Sequence, residues 1–152
     1  MDFDEQAVRA LQREIIEGWN ARDAAAMTRS WSTGAAMVGY DGTQKQGRDA
    51  AREAMAAVFA HHEVARYVCL VREVRPLAPG VALLQAHAGM VPPGKDTVMP
   101  QRHAVQTLVA VLRDGRWQTE VFQNTPARWD GREDDVRALT RELQAAFDAG
   151  RA

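Results

Sequence analysis

The 152-residue chain is long enough for one domain with a sizeable core. Its apolar fraction of 46% and charged fraction of 26% are those of an ordinary globular protein, and a net charge of −1 gives no ground for nucleic acid or an anionic membrane as partner. A single cysteine, Cys69, excludes an internal disulfide framework and a cysteine-rich zinc site.

The opening "MDFDEQAVRA" is acidic and has neither the basic nor the apolar region of a secretory leader, so a cytoplasmic protein is expected. The first helix is predicted from about Phe3 to Asn20. Val8, Leu11, Ile15 and Trp19 recur at spacings of three and four, and Asp2 or Asp4 can cap it. After "NARD", Asp23 caps a second helix predicted from Ala24 to about Trp31, with Met27 and Trp31 on one face. "TGAAMVGYDGTQKQG" then predicts a short strand, a turn at Asp41-Gly42 and an extended return to Gly47. Asp49 is expected to cap a third helix reaching about Ala60.

Strands follow. Val64 to Arg75 is rich in β-branched residues and is expected to end at Pro76, with "PLAPG" as a turn. Cys69 lies in this run and reads as an inert core thiol. Val81 to Met90 is the next strand. "VPPGKD" cannot continue a sheet. Gln101 to Arg113 and Arg116 to Thr125 form a hairpin about Asp114-Gly115. A last amphipathic helix is predicted from about Arg132 to Ala149, with Val136, Leu139, Leu143, Ala146 and Phe147 on its apolar side. No segment reads as a linker. The order implies one α+β domain over 1–152, with helices on one face of a curved antiparallel sheet.

Three stretches carry a family resemblance: "EGWNARDAAAM", "GYDGTQKQGRDAAREAM" and "VLRDGRWQTEVFQNT". In this order they resemble the NTF2-like (SnoaL-like) superfamily, and the ending "FQNT" resembles its SgcJ/EcaC-type branch, some of whose members occur in natural-product gene clusters. The resemblance covers roughly 4–125, with a C-terminal helical extension at about 126–152. It implies a cone-shaped barrel, a sheet wrapped on three helices around an apolar cavity, and a homodimer formed through the outer sheet face. The functions it implies range from ligand binding to isomerase, cyclase and dehydratase chemistry, so the fold does not fix the reaction.

The closing strand places Trp117, Thr119, Val121 and Gln123 on one face and Gln118, Glu120, Phe122 and Asn124 on the other. The first set is more apolar and is expected to face the helices. Gln123 then reaches the wide end of the cavity, where its amide can bond a ligand carbonyl or hydroxyl. Asn124 and Thr125 read as strand-end caps, and Glu120 as a surface charge. His103 shares a face with Val105, Thr107 and Val109. It is a structural histidine or, at a cavity wall, an acid or base. His87 is expected on the outer face at a dimer interface. His61-His62-Glu63 stand adjacent at a helix end, where their side chains diverge, and no metal site is expected there.

The resemblance places an isomerase base near the end of the first strand, where Asp41 stands; a turn aspartate is otherwise solvated. Trp19, Trp31, Tyr40, Phe59 and Tyr67 are expected to surround the cavity, and Trp129 to pack near its mouth. No phosphate-binding glycine loop, nucleophile elbow or HExxH motif occurs. The expected function is binding of an apolar small molecule, polyketide-derived if the branch holds, without a cofactor. The alternative is a cofactor-free isomerase, cyclase or dehydratase using acid–base chemistry. Phe122 and Ala104 are expected on the outer face of a homodimer.

Overall fold

The first helix starts where an aspartate can satisfy its free amides. In the computed structural model, which describes residues 3–150, the Asp4 carboxylate accepts from the Ala7 amide at 3.0 Å. Such a cap stabilises a helix by about 1 kcal/mol. Helix α1 then runs Glu5–Asn20, and Val8, Leu11 and Ile15 are buried as their spacing predicts. Asp2, the other candidate cap, lies outside the described residues.

Asp23 caps α2, Ala24–Met27, which is shorter than its sequence suggested. The Glu14 carboxylate accepts from the amide and the hydroxyl of Ser30, at 3.1 and 2.9 Å. This steers the chain out of the helix, and Trp31 opens β1, Trp31–Val38. A three-residue β2, Gln44–Gln46, returns antiparallel. Helix α3, Arg48–His61, starts after Gly47, whose φ of +101° favours glycine; Asp49 lies in its first turn and is not its cap.

Strands β3 (Arg66–Ala78), β4 (Val81–Val91), β5 (Ala104–Arg113) and β6 (Arg116–Pro126) complete the sheet, followed by α4, Glu133–Asp148. Strand β3 runs through Pro76, where an end was expected. It is an edge strand, and an edge tolerates a residue without an amide donor. The strand order is β2-β1-β6-β5-β4-β3. All pairs are antiparallel except β1–β6, which is parallel, so the sheet is mixed where an all-antiparallel one was expected.

The curved sheet separates two cores. Inside, α1 and α2 bury Val8, Leu11, Ile15 and Met27 against Ala82, Leu84, Leu108, Ala110 and Phe122. Helix α3 adds Ala51. Outside, α4 lies on β3 and β4 and buries Leu139, Leu143 and Ala146 against Val68, Val91 and Val98. Gly89 makes room for it, because a Cβ there would stand 2.7 Å from Leu143 Cδ1.

A bulge decides which side chains of β6 face inward. Val109 pairs with Val121, but Ala110 pairs with Thr119, leaving one extra residue on β6. Thr119 is buried before the bulge, and Phe122 and Asn124 after it. The inward row therefore changes parity, and Gln123 turns to solvent. The expected placement of Gln123 inside and Phe122 outside is reversed. Ala104 is likewise buried against Ile16 and Tyr67, not on the outer face.

Candidate functional site

The inner face of the sheet and the three N-terminal helices enclose a cavity of about 270 Å³, at the small end of ligand sites. Ile15, Ile16 and Trp19 of α1, Met27 of α2, Met37 of β1 and Phe122 of β6 form its apolar walls. The β1–β2 turn and Ala54, Met55 and Val58 of α3 form its rim, where Asp41 and Thr43 are exposed.

Polar groups collect on the sheet side. Gln106 of β5 and Asn124 of β6 are register partners, and both line the cavity with Tyr67 of β3. Gln106 is fully buried, and its Oε1 accepts from Gln12 Nε2 at 3.2 Å and from the Cys69 thiol at 3.7 Å. Asn124 Nδ2 donates to the Tyr67 hydroxyl at 2.6 Å. Gln106 Nε2 and Asn124 Oδ1 are buried with no partner among the described residues. Unpaired buried polar atoms are costly, typically ~1–3 kcal/mol each; Trp31 Nε1, His103 Nδ1 and Thr119 Oγ1 are buried in the same way, and Gln106 and Asn124 are the two of these five residues that line the cavity, where a bound molecule can supply the bond. Burial pushes the Tyr67 hydroxyl well above the ordinary phenol range, against the lowering influence of Asn124, so it stays protonated. Burial also pushes the Cys69 thiol up to about 12, as an inert core thiol requires.

The expected aromatics divide. Trp19, Tyr40 and Tyr67 line the cavity. Trp19 is held by its indole N–H donating to the Ala65 carbonyl at 2.7 Å, and the Arg102 guanidinium lies 5.7 Å from the Tyr40 ring centroid. Phe59 stands behind Trp19 in an edge contact at 5.3 Å and does not line the cavity. Trp31 is buried against Phe122, outside it.

The remaining candidates fall elsewhere. Gln123 is exposed, its amide donating to Thr125 Oγ1 at 3.2 Å. Asn124, read as a strand-end cap, is the amide that faces inward. His103 is buried on the other side of the sheet, beneath α4. Thr140 donates its own proton to the Val136 carbonyl, so in its 2.7 Å contact with His103 it accepts from Nε2–H. Burial first, and His87 second, hold His103 below the ordinary histidine range, partly opposed by a hydrogen bond near Val136. His103 is thus a neutral structural histidine. His87 is on the outer face as expected, but the C-terminal extension covers it: Trp129 meets it edge-on at 5.6 Å, and Arg72 Nε donates to its Nδ1 at 2.9 Å. Trp129 packs on this outer core and not at the cavity mouth.

Asp41 lies on the cavity rim. Its carboxylate accepts from the Thr43 amide at 2.9 Å, and that bond holds it below the usual carboxylate range. It is an ionised, exposed turn carboxylate. Glu120 accepts from Ser32 and Arg113 outside the cavity. Among the described residues no three His, Cys, Asp or Glu side chains are placed to hold a metal ion, and His61 and His62 are exposed.

The sequence reading missed Gln106, although it interrupts the apolar row Ala104, Leu108, Ala110. A glutamine inside such a row was the available signal.

With this geometry in place, comparison with known proteins settles the family. Residues 8–124 match the SnoaL-like domain. The chain belongs to this family. The domain is similar to a solved domain of unknown function with a cystatin-like fold from Nostoc punctiforme: 25% identical, TM-score 0.79, over 96% of this chain and 93% of that one. A protein with a cystatin-like fold from Caulobacter vibrioides is 25% identical with a TM-score of 0.71, over 88% of this chain and 96% of that one. An NTF-2-like protein of unknown function from Shewanella oneidensis shares the fold at 17% identity and a TM-score of 0.60, over 79% and 97%. No curated protein matches. The SnoaL-like domain therefore has the mixed α+β, NTF2-like architecture, with α4 added on the outer sheet face.

Proposed function

We propose that this SnoaL-like domain binds a small, uncharged, largely apolar molecule in its inner cavity. The observation that carries this reading is the pairing of apolar walls with two buried amide ends that have no partner among the described residues, on Gln106 and Asn124. Similarity of "FQNT" to the SgcJ/EcaC-type branch supports a polyketide-derived ligand and a place in natural-product biosynthesis. A cytoplasmic setting belongs to the same reading; among the described residues no helix is long and apolar enough to cross a membrane.

Filling the cavity tests this. Ala54→Phe projects a ring from the rim without touching the polar groups, so it should abolish uptake of an environment-sensitive apolar dye at unchanged circular dichroism. Dye binding undiminished in this variant would place the ligand elsewhere.

A second reading, a cofactor-free isomerase, cyclase or dehydratase, is favoured by one observation: the ionised Asp41 shares the cavity with the protonated Tyr67. With a candidate substrate, Asp41→Asn should then stop turnover and leave binding intact.

We also propose a homodimer through the part of the outer sheet face that α4 leaves open. Its half-buried Val105, Val109 and Val121 support this; Phe122 and Ala104 do not contribute. Light scattering at micromolar concentration should give twice the chain mass, and a monomer mass refutes the dimer.

A further inference from the structure

We infer that the polar side of the cavity grips the carbonyl oxygen of an otherwise apolar ligand, a ketone or lactone, through two converging donors. The inference rests on the ligand-site reading above and assigns it a chemical class.

The first donor is Gln106. Its Oε1 faces two groups that carry hydrogens, the Gln12 amide and the Cys69 thiol, so its Nε2 is the end left without a partner among the described residues, on a side chain that lines the cavity. The second donor comes from the Tyr67–Asn124 pair. Asn124 Nδ2 donates to the Tyr67 hydroxyl, which leaves the hydroxyl proton free. Turning the Asn124 amide end for end makes the hydroxyl the donor and frees an Nδ2 proton. In the first arrangement Asn124 Oδ1 is left as an acceptor without a partner among the described residues; in the turned one it takes the hydroxyl proton, and the pair's spare group is the Nδ2 donor. Gln106 and Asn124 face each other across β5 and β6, so their side chains stand side by side on one sheet face.

Two donors and an apolar chamber select among ligands. A hydrocarbon would leave both donors unpaired. Among the described residues a carboxylate would meet no lining cation, and the lining carboxylate Asp41 repels it. A carbonyl oxygen has two lone pairs and no proton to place, and it matches Gln106 Nε2 and Asn124 Nδ2 in the turned orientation, which leaves no Asn124 acceptor over.

The test uses three probes of one shape: indane, 1-indanone and 1-indanol. Binding is followed by isothermal titration, and the carbonyl stretch of bound 1-indanone by infrared difference spectroscopy. The ketone should bind roughly five- to thirtyfold more tightly than indane, as one to two neutral hydrogen bonds provide. Its stretch should lie below the value in dry hexane. Gln106→Met should bring the ratio of ketone to indane affinity close to one; should that variant fail to fold, the infrared shift in the unmodified protein decides alone. Equal affinities for ketone and indane, a stretch at the hexane position, or tighter binding of the alcohol each overturn the carbonyl assignment and leave the cavity a ligand site. If no probe binds, the ligand-site reading itself fails, and the inference with it.

Discussion

Leu143→Ala should destabilise the protein by about 2–5 kcal/mol, the usual range for emptying a buried leucine site. Leu143 is fully buried at the centre of the outer core. Its Cδ1 occupies the place where Gly89 lacks a side chain, so the vacated volume has no neighbour positioned to fill it. For a domain of this size each kcal/mol corresponds to roughly 2–4 °C, so the melting temperature should fall by roughly 5–20 °C. The loss should not reach the cavity. Leu143 lies across the sheet from the cavity and does not line it. Thermal unfolding monitored with and without an apolar ligand separates the two effects: the baseline should drop, while the stabilisation conferred by ligand should persist. A drop below 1 kcal/mol would show that α4 contributes little to folding.

Gly18→Ala should also destabilise, and here the sign is the point. In an exposed helix interior the change from glycine to alanine stabilises by about 1 kcal/mol, since alanine is the better helix former. Gly18 is near the end of α1, where α2 crosses it. A Cβ at this position would stand 2.5 Å from the Met27 amide nitrogen and 2.8 Å from Met27 Cα. These are backbone atoms, so relief requires moving α2 and not merely a side chain. Overpacking of this kind costs about 1–3 kcal/mol, enough to outweigh the propensity gain. Met27 also lines the cavity, so ligand affinity should fall together with stability. Chemical denaturation of the two forms measures the first effect, and a more stable alanine variant would refute the close approach of α1 and α2.

Much of the architecture was legible in the sequence because it rests on periodicity and caps. The Val8, Leu11, Ile15 stripe, the Asp4 and Asp23 caps and the Asp114-Gly115 hairpin turn are local signals, and each appears where expected. What was not legible depends on pairing between distant strands. Strict alternation along β6 puts Gln123 with Trp117, and only the register with β5 reveals the extra residue that exchanges Gln123 for Asn124. The same holds for β5, where the row containing His103, Val105 and Val109 looks more hydrophobic than the row containing Ala104, Gln106 and Leu108. The latter is the inner row because small residues and one glutamine fit against the helices and the cavity. Trp31 follows the helical spacing from Met27, yet its pairing with Thr119 draws it into the sheet. The role of α4 lay beyond the resemblance, which ended near Thr125.

The two edges of the sheet are built to different strengths. Strand β3 has the sheet's inner packing on one side and α4 on the other, so Tyr67 and Val68, adjacent in the chain, are both buried. At the opposite edge β2 contributes three paired residues, all exposed. Resistance to local opening therefore declines across the molecule, since segments with little buried surface and solvent-exposed backbone bonds open first. The turn that borders the cavity, Tyr40 to Thr43, hangs from the weaker edge. Fluctuations that widen the entrance can occur there while β3 and β4 stay closed, so the chamber can open without the rest of the domain yielding.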